Sequence, residues 1–374
     1  MNPDPAAVFV SKLIASGVRV ASGVPDSLLG ALSAELDSNQ NIEHIKAPNE
    51  GLALSVAVGY QIASEEKSVV YLQNSGLGNL VNPFLSLFHS DVYNEPVFLV
   101  IGWRGQVPDS DEPQHRAQGV KTEAMLDLLN IQSVYLRNVS EIENAIDEAI
   151  AVFDQGKSVA ILVSKGALGP PPSIGAVGAN PERKEWVRCV KDSIDAQTFI
   201  VSTTGKTSRE LYELQNAQER KTTFYCIGGM GHASCIAAGM AKAKPERKVV
   251  CIDGDGAFQM HAGAVALIGS LQPRNLIHVV INNGVHESVG GQAITSASYD
   301  YMGVAQSTGY ATVSLVDCIE DLAQLMPRLL NTTGPHFVLC HASVATPGEL
   351  GRPSGSPQEW LHDLKESIGS HETR

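Results

Sequence analysis

The feature that most constrains the fold of this chain is a glycine-rich turn between two apolar runs. Residues Lys248–Ile252 predict a buried strand, and Gly254–Gly256 permit a tight turn into a helix. A second buried strand is predicted at Leu276–Ile281, with Asn283 following its end. Because parallel strands end at one edge of an α/β sheet, the Asp255 carboxylate and the Asn283 carboxamide are expected to converge there. Such oxygen ligands suit Mg²⁺ that holds a diphosphate.

A calcium loop or a plain turn could also produce the Asp-Gly-Asp-Gly string. An EF-hand calcium loop would need glycine in place of Phe258 and glutamate in place of Ala264, so that pattern fails. A plain turn between strand and helix would account for Gly254–Gly256 by itself. The pair Asn282-Asn283 after the next helix and strand favours a cofactor site instead.

The glycine turn followed by paired asparagines resembles the signature of the thiamine diphosphate enzymes. This resemblance implies that Mg²⁺ is bound by Asp255, Asn283 and the backbone carbonyl of Val285. It also implies that Met230, within a Gly-Gly-Met-Gly loop, holds the cofactor in a bent shape, although a lone methionine is more often a core residue. The residues expected to contact thiamine diphosphate are Glu50, Ser75, Gly76, Thr203, Thr204, Gly205, Gly229, Met230, Gly254, Asp255, Gly256, Ala257, Asn283 and Val285.

Composition narrows the class of protein. The 374 residues can form two domains, and 43% hydrophobic with 18% charged residues is typical of a globular protein. A net charge of −13 argues against nucleic acid and anionic membrane as partners. With no bilayer-length apolar run and no basic leader at Met1–Pro5, a cytoplasmic protein is expected. The scattered cysteines are expected to be reduced core residues: Cys189, Cys226, Cys235, Cys251, Cys318 and Cys340.

Strand and helix patterns alternate along the whole chain, which predicts an α/β protein with two doubly wound parallel sheets. The first domain is expected at residues 1–165 and the second at residues 182–374. Residues 166–181 are rich in Gly, Ala and Pro and are expected to be a linker. Asn74–Asn79 and the polar segment between Gly105 and Thr122 are expected to be loops.

The two halves match each other at a constant shift of about 180 positions, which indicates two copies of one α/β unit. Chance similarity is the alternative, because parallel strands resemble one another. Where the second copy has Asp255 and Asn283, the first has Ser75 and Trp103, so only the second is expected to bind a metal diphosphate. The matching pairs are Gly59 and Gly239, Ala63 and Ala243, Gly76 and Gly256, Val69-Val70 and Val249-Val250, and Val100-Ile101 and Val280-Ile281.

The family resemblance assigns different tasks to the two halves. It implies a pyrimidine-binding domain first and a diphosphate-binding domain second, with the cofactor between domains of two subunits. A homodimer or homotetramer with active sites at the subunit interface is therefore expected.

Glu50 is expected to activate the cofactor. It lies where a strand gives way to a helix of small apolar residues, and a buried carboxylate there would need a partner. The alternative is an exposed glutamate that favours the helix dipole. The resemblance implies that Glu50 shares its proton with N1′ of the cofactor pyrimidine.

Gly205-Lys206-Thr207 resembles the end of a nucleotide-binding P-loop. The earlier glycine of that motif would fall at Ile200, inside a predicted strand, so a nucleoside triphosphatase is not expected. Thr203, Thr204 and Gly205 fit better as a cradle of small residues for the diphosphate.

A narrower resemblance is to the phosphonopyruvate decarboxylase family, whose members lack a middle domain. It covers nearly the whole chain and implies conversion of 3-phosphonopyruvate to phosphonoacetaldehyde and CO₂ in phosphonate biosynthesis. The segments that carry it are Gly23–Leu29, Gln73–Asn79, Ile101–Gly105, Asp111–His115, Gly229–Ser234, Asn283–Gln292 and Leu350–Pro353.

Candidate residues for this chemistry fall into two sets. Proton transfers and contacts to the substrate carboxylate are expected from Asp26, His115, His286 and Glu287. Because a dianion needs a guanidinium or clustered N–H donors, the phosphonate is expected at Arg104, Ser288, Gly290, Gly291 and Gln292.

Three further functions are compatible with parts of this pattern. Sulfopyruvate decarboxylase differs only in carrying sulfonate for phosphonate on its substrate. A carboligase joining the product to a second carbonyl compound also fits the residues. A non-catalytic subunit is disfavoured because Glu50 and Asp255 are both present.

Overall fold

The computed structural model describes residues 4–108, 111–171, 175, 177–344, 350–351 and 353–369. The chain divides into two compact units. The first comprises Met1–Ser173 and His286–Thr295, and the second comprises Ile174–Val285 and Ser296–Arg374. The predicted domain limits remain predictions. Residues 172–174 and 176 of the predicted linker lie outside the described residues. Arg352, within the segment Leu350–Pro353 that carries the family resemblance, lies outside them as well.

The first unit contains a six-stranded sheet in the order β2-β1-β3-β4-β6-β5, and every neighbouring pair is parallel. Its strands are β1 Val18–Gly23, β2 Glu43–Lys46, β3 Lys67–Gln73, β4 Phe98–Gly102, β5 Gln132–Leu136 and β6 Val159–Val163. Its helices are α1 Pro5–Ala15, α2 Gly30–Ser38, α3 Glu50–Ser64, α4 Leu77–Pro83, α5 Pro113–Gly119, α6 Thr122–Leu128 and α7 Ile142–Phe153.

The second unit contains a six-stranded sheet in the order β13-β14-β10-β9-β7-β8, again parallel throughout. Its strands are β7 Phe199–Ser202, β8 Thr223–Tyr225, β9 Val249–Gly254, β10 Leu276–Asn282, β13 Thr312–Val316 and β14 His336–His341. The short strands β11 Val285–His286 and β12 Gln292–Ala293 pair as a separate ribbon, which from His286 onward groups with the first unit. The helices are α8 Arg183–Asp192, α9 Lys206–Leu214, α10 Ala217–Arg220, α11 Ala233–Ala243, α12 Asp255–Met260, α13 Gly263–Leu271, α14 Tyr301–Thr308, α15 Ile319–Leu330 and α16 Pro357–Gly369.

Each sheet has apolar layers on both faces. Along β3, Val69 and Tyr71 join the layer beneath α1, α2 and α7, whereas Val70 and Leu72 join the layer beneath α3, α4 and α6. Successive strand residues point to opposite faces, so a strand covered on both sides must be apolar throughout. The predicted doubly wound parallel sheets are confirmed.

The strand orders of the two sheets coincide, because β2-β1-β3-β4-β6-β5 corresponds to β8-β7-β9-β10-β14-β13 in the second unit. Val69-Val70 and Val249-Val250 lie on corresponding strands, β3 and β9. The predicted repeat is therefore confirmed.

Two loop predictions were wrong. Asn74–Gly76 forms a short 3₁₀ turn and α4 begins at Leu77, because the buried Asn74 amide donates to the Arg104 carbonyl and fixes the turn. The polar segment after Gly105 contains α5, which lacks an apolar period. Gly119 permits this helix to approach Gly105, because a β-carbon added at Gly119 would overlap the Gly105 carbonyl.

Among the described residues, no helix combines the length and the apolarity needed to traverse a bilayer.

Candidate active site

The structure brings Asp255 and Asn283 together at the carboxyl ends of β9 and β10. Asp255 begins α12 and is buried, with 5% of its surface exposed. Its Oδ2 accepts hydrogen bonds from the backbone N–H groups of Asn283, at 3.0 Å, and Gly284, at 2.7 Å. Its Oδ1 accepts from Gly256 N at 2.7 Å. These bonds fix the carboxylate between two adjacent strand ends.

The electrostatics at Asp255 suit a cation. Burial raises the pKa of its carboxyl to about 6, although the three backbone donors and the Arg183 guanidinium act in the opposite direction. A buried anion is stabilised by a bound metal ion. Asn283 and Val285 follow directly in a turn closed by a 3.2 Å hydrogen bond from Val285 N to Asn283 Oδ1. The donor set is all oxygen, as Mg²⁺ prefers.

The turn after β7 fits the predicted diphosphate cradle. Thr203 is buried, and its Oγ1 has no hydrogen-bond partner among the described residues. Its methyl group is the nearest atom to a β-carbon added at Gly254, at 3.9 Å, so the ends of β7 and β9 face each other. Gly205 has φ of +85°, which glycine adopts without strain, and Thr204 is half-buried. A buried hydroxyl without a hydrogen-bond partner, close to the backbone of glycine residues, which have no side chain of their own to cover it, suits an anionic ligand.

The Gly229–Gly231 loop lies against α12. Both glycines have positive φ, and a β-carbon on Gly231 would come within 2.8 Å of the Ala257 carbonyl. Met230 between them is half-buried and lies outside the apolar layers of its unit, in contrast to the alternative of a core methionine. The loop therefore presents Met230 beside the helix that begins at Asp255.

Glu50, in the first unit, is the first residue of α3 and is 5% exposed. The Asn49 side chain caps this helix by accepting from Gly51 N at 2.8 Å. Asn79 Nδ2 donates to Glu50 Oε2 at 2.6 Å, and Gly76 lies against Oε1. Burial raises the pKa of Glu50, and the Asn79 bond only partly offsets this. The alternative of an exposed glutamate is thus wrong.

Asp26 is fully buried at the carboxyl end of β1. Gln73 Nε2 donates to its Oδ1 at 2.5 Å, and Leu28 N donates to its Oδ2 at 3.0 Å. Burial raises the pKa of Asp26 against the effect of these donors and of Arg104. The side-chain oxygen of Gln73 in turn accepts from Ser75 Oγ at 2.8 Å, and Ser75 is exposed. A hydrogen-bonded path thus joins the buried acid to the surface.

Arg104 has a partner that the sequence did not indicate. Its Nε and Nη2 donate to Asp111 at 2.7 and 2.6 Å, and its Nη1 donates to Ser27 Oγ at 2.9 Å. Although burial acts to raise the pKa of Asp111, the guanidinium holds that pKa well below its usual range. His115, on α5, is half-buried and its charge also acts on Asp111. Only part of the Arg104 donor set therefore remains for a substrate anion.

The residues after Val285 that were predicted to act in catalysis or to bind the substrate group with the first unit. His286 has its pKa lowered to about 4, by burial first and by Lys46 second. Gln292 is 6% exposed, donates weakly to the Gly30 carbonyl at 3.5 Å, and has no described partner at its Oε1. Gly290 and Gly291 have positive φ in the turn between β11 and β12, with Glu287 half-buried and Ser288 exposed nearby.

Asn79, Gln73 and Asp111 were not identified from the sequence as functional residues. All three lie within segments that carry the family resemblance, but no role was expected for any of them. For Asn79 and Gln73, the signal was a polar side chain at or just after the carboxyl end of β3, next to the strand ends that carry Asp26 and Glu50.

Comparison with known proteins shows the family of this chain. Residues 4–125 match the family model of the N-terminal TPP binding domain of thiamine pyrophosphate enzymes, and residues 203–340 match that of the C-terminal TPP binding domain. Phosphonopyruvate decarboxylase of Streptomyces viridochromogenes is 33% identical over 95% of this chain and 92% of its own length. The Streptomyces hygroscopicus enzyme of that name is 31% identical over 96% and 93%. Sulfopyruvate decarboxylase of Methanosarcina acetivorans is 23% identical over 98% of both chains.

Proposed function

The chain belongs to the thiamine pyrophosphate enzymes, as a decarboxylase related to phosphonopyruvate decarboxylase, and from this we propose that it converts 3-phosphonopyruvate to phosphonoacetaldehyde and CO₂. Relatives named for phosphonopyruvate are 31–33% identical to this chain, against 23% for the full-length relative named for sulfopyruvate. This difference supports the phosphonate over the sulfonate substrate.

The geometry of Asp255 carries the proposal. Its buried carboxylate is oriented by three backbone N–H groups and lies beside Asn283. The buried Thr203 hydroxyl, after the neighbouring strand β7, has no hydrogen-bond partner among the described residues. We assign Mg²⁺ to Asp255, Asn283 and the Val285 carbonyl, and the diphosphate to Thr203 and the adjoining turns. The other assigned cofactor contacts are Ser75, Gly76, Thr204, Gly205, Gly229, Met230, Gly254, Gly256 and Ala257.

Thiamine diphosphate, when bound, supplies the electron sink that decarboxylation of a 2-oxo acid requires. The protein controls protons around it. At Glu50, the Asn79 amide donates to Oε2 and burial raises the pKa of the carboxyl, so Oε1, beside Gly76, is the oxygen available to hold a proton. Asp26, oriented by Gln73, and His115 are assigned to proton transfer to the product.

Substrate contacts are assigned to the remaining predicted residues. Arg104, oriented by Asp111, provides a fixed positive charge for the phosphonate. His286 and Glu287 are assigned to proton transfers and to contacts with the substrate carboxylate. Ser288, Gly290, Gly291 and Gln292 are assigned to the phosphonate oxygens.

A homo-oligomer with shared active sites is part of the proposal. Along α3, which begins with Glu50, Leu52 is 57% exposed, Val56 42% and Ile62 59%. Contiguous exposed apolar residues on a helix face indicate a protein contact. We propose that a second copy of the chain covers this face, so that Glu50 of one subunit serves the cofactor of the other. Sedimentation showing a fully active monomer would contradict this.

The decisive experiment measures CO₂ release from phosphonopyruvate and sulfopyruvate with thiamine diphosphate and Mg²⁺. Wild type is expected to use phosphonopyruvate, and Glu50→Ala to lose that activity. Glu143→Ala removes an exposed first-turn glutamate of α7 and serves as the matched control. Preference for sulfopyruvate would replace the substrate and keep the mechanism. Condensation products formed with an added aldehyde would instead indicate a carboligase.

A further inference from the structure

A buried polar network lies in the second unit beneath the turn that carries Asp255. Asp253 and His278 are each 1% exposed, and Tyr310 is 6% exposed. Apolar rings surround them, with Phe258 stacked on His278 at 6.0 Å and Phe337 edge-on at 5.5 Å. Burying three polar side chains in an apolar layer costs free energy unless each finds a partner. Their pairing is therefore informative.

The three side chains form one chain of hydrogen bonds. His278 Nδ1 lies 3.0 Å from the Tyr310 hydroxyl, and His278 Nε2 lies 3.3 Å from Asp253 Oδ2. Burial raises the pKa of Tyr310 well above its usual value, so the phenol keeps its proton and can donate a hydrogen bond to His278 Nδ1. In that arrangement the other ring nitrogen, Nε2, carries the ring proton and donates a hydrogen bond to Asp253 Oδ2. Every polar group of the network is satisfied in this arrangement.

The network joins the two strands whose ends carry the assigned metal ligands. Asp253 lies on β9, two residues before Asp255, and its Oδ1 accepts from Gly254 N at 2.9 Å. His278 lies on β10, which ends just before Asn283. The bond between Asp253 and His278 therefore crosses from β9 to β10, whose backbones are paired in register along this stretch.

We propose that Asp253, His278 and Tyr310 are positioning residues that hold the ends of β9 and β10 at the spacing at which Asp255 and Asn283 bind Mg²⁺ together. This inference rests on the proposed function, because it takes those two residues as metal ligands. Groups behind the ligands of a metal site tune its affinity by restricting where the ligands can move.

A transition-metal site is the competing hypothesis. The ligand atoms of Cys251, Asp253 and His278 lie within 4.8 Å of one another. Burial, however, raises the pKa of the Cys251 thiol well above its usual value, whereas a metal ligand must be the thiolate. Both His278 nitrogens already have partners in the network. The observations favour positioning over metal binding.

The test compares His278→Phe and Tyr310→Phe with wild type in the full chain. Tyr212→Phe is the matched control, because it removes another buried hydroxyl of the same unit, one that bonds to Ser354. Mg²⁺ is titrated at fixed thiamine diphosphate, and cofactor binding is followed by calorimetry. We expect the half-saturating Mg²⁺ concentration to rise about tenfold in His278→Phe and severalfold in Tyr310→Phe, with the control unchanged.

Unfolding of each apoprotein in urea and the zinc content of wild type complete the test. If the variants lose stability yet keep the wild-type Mg²⁺ requirement, the network is merely structural and the inference fails, while the proposed function stands. Stoichiometric zinc in wild type would also overturn it. Absence of Mg²⁺-dependent cofactor binding by wild type would overturn the proposed function and this inference together. Should His278→Phe not fold, Tyr310→Phe, which loses a single hydroxyl, decides the matter.

Discussion

Gly76 lies directly against the carboxyl group of Glu50, so closely that an added β-carbon would overlap Oε1. The other carboxyl oxygen is held by Asn79. Glu50 is thus confined from two sides by residues of one strand-to-helix turn.

Gly76→Ala is expected to displace Glu50 and to lower kcat by about 100-fold, since a misplacement near 1 Å at a reacting group costs that much. Gly78→Ala is the control, because a β-carbon there meets no atom within 4 Å. That variant should keep wild-type activity and be slightly more stable, as alanine favours a helix. Steady-state kinetics of both variants measure the difference. Equal activity of the two would show that the position of Glu50 is not critical.

Glu50→Gln is expected to be more stable than wild type at pH 8 and equal to it near pH 4. Burial raises the pKa of Glu50 in the folded state above its pKa in the unfolded state. At pH values between these two pKa values, the folded state therefore binds more protons than the unfolded state. Stability is therefore lost as the pH rises through the folded pKa, and the neutral amide escapes this loss. Urea unfolding of the apoprotein at several pH values provides the measurement. A difference independent of pH would refute the linkage.

Asp255→Asn is expected to raise the half-saturating Mg²⁺ concentration for thiamine diphosphate binding by about 100-fold or more, because it removes the charge of the assigned metal ligand. Asp300→Asn changes a helix-capping aspartate of the same unit and should leave that concentration unchanged. Calorimetric titration of cofactor and metal compares the two. Unaltered binding in Asp255→Asn would remove Asp255 from the metal site.

Arg104→Ala is expected to raise KM for phosphonopyruvate by about ten- to a hundredfold, because the substrate would lose the binding free energy of one charge-assisted hydrogen bond. Arg116→Ala removes an exposed arginine of α5 and should leave KM unchanged. Asp111→Asn tests orientation, since it weakens the bidentate hold on Arg104. If KM is insensitive to all three substitutions, the phosphonate must bind elsewhere, with Gln292 the next residue to change.

The fold and the Asp255–Asn283 pair could be predicted because both follow from local pattern. Central strands of a parallel sheet are apolar throughout, so β6 and β10 are recognisable from short runs of sequence. Parallel strands also end at the same edge, and consecutive strands are commonly neighbours, so the residues after β9 and β10 are expected to lie side by side.

The pairings of Asn79 with Glu50, Gln73 with Asp26 and Asp111 with Arg104 could not be predicted in this way. Each joins residues on different elements, and the choice of partner depends on side-chain directions that periodicity does not specify. α5 was missed for a related reason: it is a polar helix, fixed by the close approach of Gly119 to Gly105 rather than by an apolar stripe.

Because the two units share one strand order, equivalent positions in the two halves of the chain can be compared directly. Features that agree between the copies, such as the paired valines of β3 and β9, are explained by the architecture, because a strand covered on both faces must be apolar. Features that differ at equivalent strand ends, such as Ser75 in the place of Asp255 and Trp103 in the place of Asn283, are not required by that architecture, and under the proposed function they give the two halves different tasks. The two halves can thus be compared position by position. A residue that departs from its counterpart in the other half marks a position where the shared fold does not determine the residue type.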